Sequence, residues 1–315
     1  MAIRLPPRLV RGLVRYVAKP LLGPPFPVSV QRGWSRIVSN VNVPARLAST
    51  ERLNVNGLDT LRSRPRDHEP SRAVLYLHGG GYCVGSWATH RGLITHLAVA
   101  AGATVYAPNY RLAPEHPHPA ALDDALSTYR WMLDQGVLPE RITLAGDSAG
   151  GGLALCTALA IRDSELPAPG SLVLLSPWVD LGCDAPSMSE KVSLDPMLRP
   201  SWVRACASMY LGGRDSADPN CSPLFANHRG LPPTLVQVGS DEILLDDSTR
   251  LAARCWDVGT DLTLQEFEGY WHDFQSHAGI LEAATQAINN IATFIKTQEE
   301  KRGLSPFYGK MPSRA

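Results

Sequence analysis

The stretch "ITLAGDSAGGG", residues 142–152, decides how this chain is read. Ile142 to Gly146 is a short apolar run of the buried-strand type, and a helix-compatible run, "SAGGGLALCTALAIRDS", begins at Ser148. Between them Gly146, Asp147, Ser148, Ala149 and Gly150 form a G-x-S-x-G in a strand-to-helix context. A serine on so sharp a turn is presented above the sheet edge, and glycines two positions to either side remove side chains that would block the bend. The helix that follows points its positive end at the serine. Ser148 is therefore the candidate nucleophile, and Asp147 inside the turn is read as a local brace.

Outward from this stretch, strand and helix patterns alternate. "AVLYL" (73–77), "TVYAP" (104–108), "LVLLS" (172–176), "TLVQVG" (234–239) and "LTLQEFEG" (262–269) join 142–146 as six apolar strand candidates. Helix-compatible segments at 89–102, 120–136, 148–164 and 246–259 lie between most of them. Such alternation implies parallel neighbours joined by right-handed crossovers, with helices on both faces. Asn56-Gly57 between two alternating runs adds a tight hairpin at the start. The expected architecture is one α/β domain with a mostly parallel, eight-stranded sheet.

Two regions break the pattern. Before Glu51 there is no acidic residue, while Arg4, Arg8, Arg11, Arg15 and Lys19 flank Leu5, Leu9, Leu13 and Val17, which recur every four residues as one apolar helix face. Such a helix reads either as an Arg-rich targeting or membrane-surface segment or, as preferred here, as a folded helix whose basic face is solvated. Between Pro177 and Gly230 only "SWVRACASMYLGG" (201–213) is clearly helical, with Trp202, Cys206, Met209 and Tyr210 on one side, Ser201 as N-cap and Gly212-Gly213 as stop. The expected layout is N-terminal cap helices over 1–50, a catalytic domain over 51–300 with a cap insertion at about 182–228, and a loosely ordered tail at 301–315.

Composition excludes several classes. With 315 residues, 44% hydrophobic and 19% charged, the chain is globular, and thirty Lys+Arg balance thirty Asp+Glu, leaving no field for nucleic acid or an anionic membrane. No apolar run approaches the roughly 18 to 20 residues that span a bilayer, and no signal-peptide pattern follows Met1, so a cytoplasmic protein without membrane insertion is expected. The six cysteines contain no CxxC pair, which argues for free thiols, although a pair among Cys183, Cys206 and Cys221 stays open.

The second chemical element is "HGGG", His78 to Gly81, at the end of a buried strand. Consecutive glycines are costly in chain entropy and mark a backbone that must approach a ligand closely. In acyl transfer that ligand is the tetrahedral oxyanion, for which the N–H groups of Gly80, Gly81 and Ala149 are the candidate donors. No phosphate-loop spacing matches either glycine stretch. A serine nucleophile needs a base and an orienting acid, and behind a G-x-S-x-G elbow the chain order is nucleophile, acid, histidine. Of nine histidines only His272 and His277 follow the last strand; His272 is chosen, and His277 is read as a surface residue near the last helix. For the acid, Asp241 stands just past a strand's C-terminal end, with Glu242, Asp246 and Asp247 as its competitors. Asp241 is the choice.

Taken together, "HGGG" (78–81), "NYRLAPEHPHPAALDDA" (109–125), "GDSAGG" (146–151), "SPWVDL" (176–181), "GSDEILLDDS" (239–248) and "WHDF" (271–274) resemble the bacterial hormone-sensitive-lipase-like esterases. The resemblance runs from about Arg72 to near Lys296. It implies an α/β hydrolase fold with a helical cap, a Ser148, Asp241, His272 triad and the Gly80, Gly81, Ala149 oxyanion hole, with His78, Gly79 and Asp147 as supporting motif residues. It gives Tyr110, Arg111 and Glu115 a bracing role beneath the oxyanion loop, and it allows a homodimer. Where that family usually has Phe, this chain has His118. The prolines at 114, 117 and 119 fix an extended loop, so His116, His118, Asp123 and Asp124 are not read as a metal cluster.

The expected chemistry needs no metal and no cofactor: Ser148 attacks an ester carbonyl, His272 moves the proton, and water releases the acyl group. Met188, Met197, Leu198, Trp202, Met209 and Tyr210 suggest an apolar, partly closed pocket for short to medium acyl chains. A lactone hydrolase or a deacetylase would use the same residues. A small-molecule receptor, the non-enzyme reading, is disfavoured because no element of the constellation is missing.

Overall fold

Asn56 and Gly57 both take positive φ, 51° and 91°, and close the first hairpin between β1 (Ala48–Val55) and β2 (Leu58–Pro65). Two such residues are what a two-residue turn matching strand twist requires. The computed structural model describes residues 4–67 and 70–304, and the expected loose tail falls largely on 305–315, outside them. The six apolar runs form β3 (Arg72–Leu77), β4 (Ala103–Pro108), β5 (Ile142–Asp147), β6 (Ser171–Leu175), β7 (Thr234–Gly239) and β8 (Leu262–Phe267). The eight strands stand in the order β1-β2-β4-β3-β5-β6-β7-β8, parallel from β4 to β8, with β1 and β2 antiparallel at one end. The expected α/β hydrolase architecture is observed.

Helices cover both faces and produce two apolar cores. α4 (Ala120–Asp134), α5 (Ala149–Arg162) and α8 (Leu245–Asp257) build one core with Leu75, Leu77, Leu144 and Leu174. α3 (Arg91–Ala101) and α9 (Glu282–Lys301) build the other with Val74, Tyr76, Val105 and Val173. Alternate residues of one strand thus feed opposite cores, so each central strand is buried along its length, with β5 buried at every position. No helix among the described residues is long and apolar enough to cross a membrane.

The N-terminal helix departs from its expected face. α1 (Pro7–Leu13) runs into a π-helical turn over Val14–Ala18, and α2 (Val28–Val38) follows. Val10 and Val14 are the buried positions, while Leu9, Leu13 and Val17 are exposed. The basic face is not simply solvated either. Arg15 donates to the carbonyls of Ser193 and Leu194, and Lys19 to that of Asp195, which ties the first helix to the segment between β6 and β7. That segment carries the short α6 (Ser187–Glu190) and α7 (Pro200–Leu211). Proline at the first helical position, rather than the expected Ser201 cap, starts α7, and Gly212 with φ 57° ends it.

Candidate active site

The turn from β5 into α5 forces Ser148 to φ 53° and ψ −123°, a conformation that costs roughly 1–3 kcal/mol and persists where surrounding structure fixes it. The fixing contacts are backbone ones: the Ser148 N–H donates to Leu175 O at 2.8 Å, and its carbonyl accepts from Trp178 N at 2.9 Å. Glycine is required on both sides. A Cβ on Gly146 would lie 2.2 Å from Gly150 O, and one on Gly150 would lie 2.0 Å from Leu77 O.

Asp147 lies between the serine turn and the glycine loop. Its carboxylate accepts from Tyr76 Oη at 2.5 Å, from Gly79 N at 3.0 Å and meets His90 Nε2 at 3.0 Å, so it ties the serine turn to the glycine loop. Burial opposes its charge, but the His90 contacts outweigh that and hold the carboxyl below its usual range, while raising His90. Gly79 must be glycine because a Cβ would stand 2.2 Å from Asp147 Oδ2. His78 stacks on Tyr110 with centroids 4.2 Å apart, and Tyr110 Oη donates to His78 O at 2.6 Å. Burial pushes the His78 imidazole down to about 3, so it is neutral. Gly80 and Gly81 take φ 121° and 60°, and no acceptor among the described residues meets their N–H groups. The N–H of Ala149, in the first turn of α5, has no helical partner by its position.

The histidine chosen from the sequence reaches the serine, but the acid chosen from the sequence does not reach the histidine. His272 Nε2 lies 2.9 Å from Ser148 Oγ. Its Nδ1 lies 3.0 Å from Glu242 Oε1, not from Asp241. The other Glu242 oxygen accepts from Ser176 Oγ at 2.8 Å and Gly239 N at 3.0 Å, so the carboxylate is fixed inside the protein and fully buried. Asp241, one residue earlier on the turn, faces outward. Its N–H donates to Tyr270 O, and its carboxylate takes Arg11 of α1 at 2.6 Å. Arg11 also donates to Gly269 O and lies 5.3 Å over the Trp271 ring. Thus Asp241 anchors the N-terminal helix beside the histidine loop.

Two further carboxylates surround His272. Asp273, at φ 54°, places Oδ2 3.1 Å from Nε2, while its Oδ1 is buried with no partner among the described residues. Burial raises the Asp273 carboxyl to about 7. Burial alone would lower His272, yet Asp273 and Glu242 together outweigh it and hold the imidazole well above its ordinary value. Asp195, fully buried, accepts from the N–H groups of Met197 and Leu198 with one oxygen and from Ile243 N with the other. It fastens the insertion to the loop that carries Glu242. An Asp before Pro, followed by free amides, is the only sequence signal for it.

Several other sequence readings acquire definite places. His277 is buried rather than on the surface; it ends a 3-10 turn (Phe274–His277), meets Asn42 Oδ1 through Nδ1 at 3.0 Å, and burial lowers it to about 4. Arg111 pairs with Asp124 at 2.8 Å, and Glu115 with Arg32, which also donates to Cys83 O and Ala113 O behind the glycine loop. His118 packs edge-on to Tyr210, which stacks on Tyr82 at 3.7 Å. All six cysteines are free and buried.

A cavity of about 370 Å³ opens at Ser148, with His272 on one wall and Val14 and Val17 of the N-terminal helix on another. Of the residues expected to line it, Met197, Leu198 and Trp202 do so, whereas Met188 and Tyr210 are buried in the core and Met209 packs against it.

A family model of the alpha/beta hydrolase fold matches residues 74–276. An acetyl-hydrolase of Streptomyces hygroscopicus is 42% identical over 229 residues, covering 73% of this chain and 77% of its own length. An esterase of Acinetobacter venetianus is 38% identical over 225 residues, covering 71% of this chain and 74% of its own. The crystal structure of an esterase from the bacterial hormone-sensitive lipase family superposes with a TM-score of 0.88 at 39% identity, covering 92% of this chain and 97% of that one.

Proposed function

The chain belongs to the α/β hydrolase fold family, among its bacterial hormone-sensitive-lipase-type esterases, and from that premise we propose that it hydrolyses carboxylic esters through Ser148, His272 and Glu242. The observation that carries this reading is the unbroken line from Glu242 through His272 to Ser148 Oγ, with links of 3.0 and 2.9 Å. His272 takes the Ser148 proton as Oγ attacks the ester carbonyl. The oxyanion forms toward the N–H groups of Gly80, Gly81 and Ala149, and each such donor is worth roughly 3 kcal/mol of barrier. The C–O bond to the alcohol then breaks, and the alcohol leaves with the proton from His272. Water, deprotonated by the same base, attacks the acyl-serine and releases the acid, restoring Ser148. Glu242 holds the tautomer with the proton on Nδ1 and stabilises the imidazolium that forms in each half. Residues 4–50 and the insertion at about 182–228 act as the cap over this site, and the buried free thiols support a reducing, cytoplasmic setting.

The test is turnover of p-nitrophenyl esters by wild type and Ser148→Ala. Wild-type hydrolysis that drops at least about a thousandfold in the variant is the expected result. Ligand binding without turnover by the wild type would sink the reading in favour of a receptor.

A further inference from the structure

We infer that the site is built for acetate esters of bulky apolar alcohols, with selectivity set on the two sides of Ser148 by pockets of very different size; this rests on the ester-hydrolase reading above. The carbonyl carbon under attack carries four groups: Ser148 Oγ, the oxyanion, the leaving oxygen and the acyl chain. The oxyanion is committed to the glycine loop. The leaving oxygen must come within hydrogen-bond reach of His272 Nε2 to receive its proton. Among the described residues, His272, with Asp273, Ser276 and His277, lines the cavity of about 370 Å³ and not the second pocket that touches Ser148. The alcohol is therefore directed into the large cavity, and the acyl chain into the second.

That second pocket holds only about 10 Å³, between Gly81, Ser148 and the side chains of Trp178, Leu198, Trp202, Val203, Cys206 and Leu244. About one water-sized sphere fits such a space, so it takes a methyl group and little more. Its walls have little room to withdraw. Trp178 donates through Nε1 to Asp180 O at 3.0 Å, and Trp202 to Gln31 Oε1 at 2.9 Å. The Leu198 N–H is held by Asp195, and a Cβ on Gly81 would already stand 2.8 Å from Cys206 Sγ. The large cavity is different in kind. Leu13, Val14, Val17, Val38, Val41 and Ile280 give it an apolar lining, and its volume lies in the range of small-molecule sites. In the reaction, the acetyl group passes to Ser148 Oγ, the apolar alcohol leaves with the proton from His272, and water converts the acetyl-serine to acetate.

Two isomeric esters test this directly. Hexyl acetate and ethyl hexanoate have the same atoms and nearly the same hydrophobicity, but they place the long chain on opposite sides of the carbonyl. Each methylene that a closed apolar pocket rejects costs roughly tenfold or more. The expected kcat/KM for hexyl acetate therefore exceeds that for ethyl hexanoate by at least about a hundredfold, and it rises from ethyl to hexyl acetate. Val203→Ala, or Leu244→Ala if the first is poorly folded, is expected to narrow the isomer ratio by about tenfold. Equal rates for the isomers, both abolished by Ser148→Ala, would overturn the pocket assignment and leave the esterase reading intact. No hydrolysis of any ester by the wild type would overturn both. The wild-type comparison decides the matter without relying on either variant.

Discussion

Glu242 and Asp241 differ by one position and one methylene, yet they have opposite surroundings. Gly239 N and Ser176 Oγ hold one Glu242 oxygen, which leaves the other for His272. The Asp241 carboxylate instead meets Arg11 at the surface of the turn. Glu242→Gln should lower kcat by about three to four orders of magnitude, as loss of the correct imidazole tautomer does in other triads. Asp241→Asn should stay within about threefold of wild type; stopped assays on both variants in parallel distinguish the two carboxylates. Asp273 offers a pH test. His272 must be neutral to act as base, and the flanking carboxylates favour its protonated form, so activity climbs as pH rises through its raised value. Asp273→Asn removes one carboxylate 3.1 Å from Nε2, leaving Glu242 and the more distant Asp195 and Asp147 on the acidic side and His90 on the basic side. The acid limb of kcat/KM should then move to lower pH, and an unchanged limb would show that Asp273 does not tune the base.

At the scale of elements, the first helix is part of the site rather than an appendage. Val10 and Val14 enter a core and, with Leu13 and Val17, also line the cavity. Arg11, Arg15 and Lys19 fix its basic side to Asp241 and to the carbonyls of 193–195. Removing residues 1–20 should cut turnover of an ester with a six-carbon alcohol more than tenfold and lower Tm, since it strips one cavity wall and takes two buried valines, Val10 and Val14, out of the core, each worth roughly 1.5–3 kcal/mol. Full retention of activity would mark the segment as disposable. The strands, the crossover helices and the Asn56-Gly57 hairpin were legible because their periodicity and turn chemistry are local. The face of the first helix was not, because its orientation is tied to distant parts of the chain, Asp241 and the carbonyls of 193–195, which its local sequence does not mark.

For the molecule as a whole, burial governs the thiols as much as the triad. Burial pushes Cys183 and Cys255 up to about 12 and Cys221 to about 11, and Cys206, hydrogen-bonded with Cys83 and buried, is also raised. A thiol reagent added to native protein at neutral pH should modify fewer than about one cysteine per chain on the time scale in which denatured protein reacts at all six. Rapid labelling of native protein would contradict this burial. Sequence by itself determined the sheet, the serine turn, the glycine loop and His272, because each is written in contiguous residues whose spacing serves one backbone geometry. Tertiary structure alone decided that Glu242 and not Asp241 meets the histidine, that His277 is interior, and that Arg11 closes on the histidine loop. Those choices depend on which way a side chain leaves a turn and on what another part of the chain brings to it, and neither is encoded in local spacing.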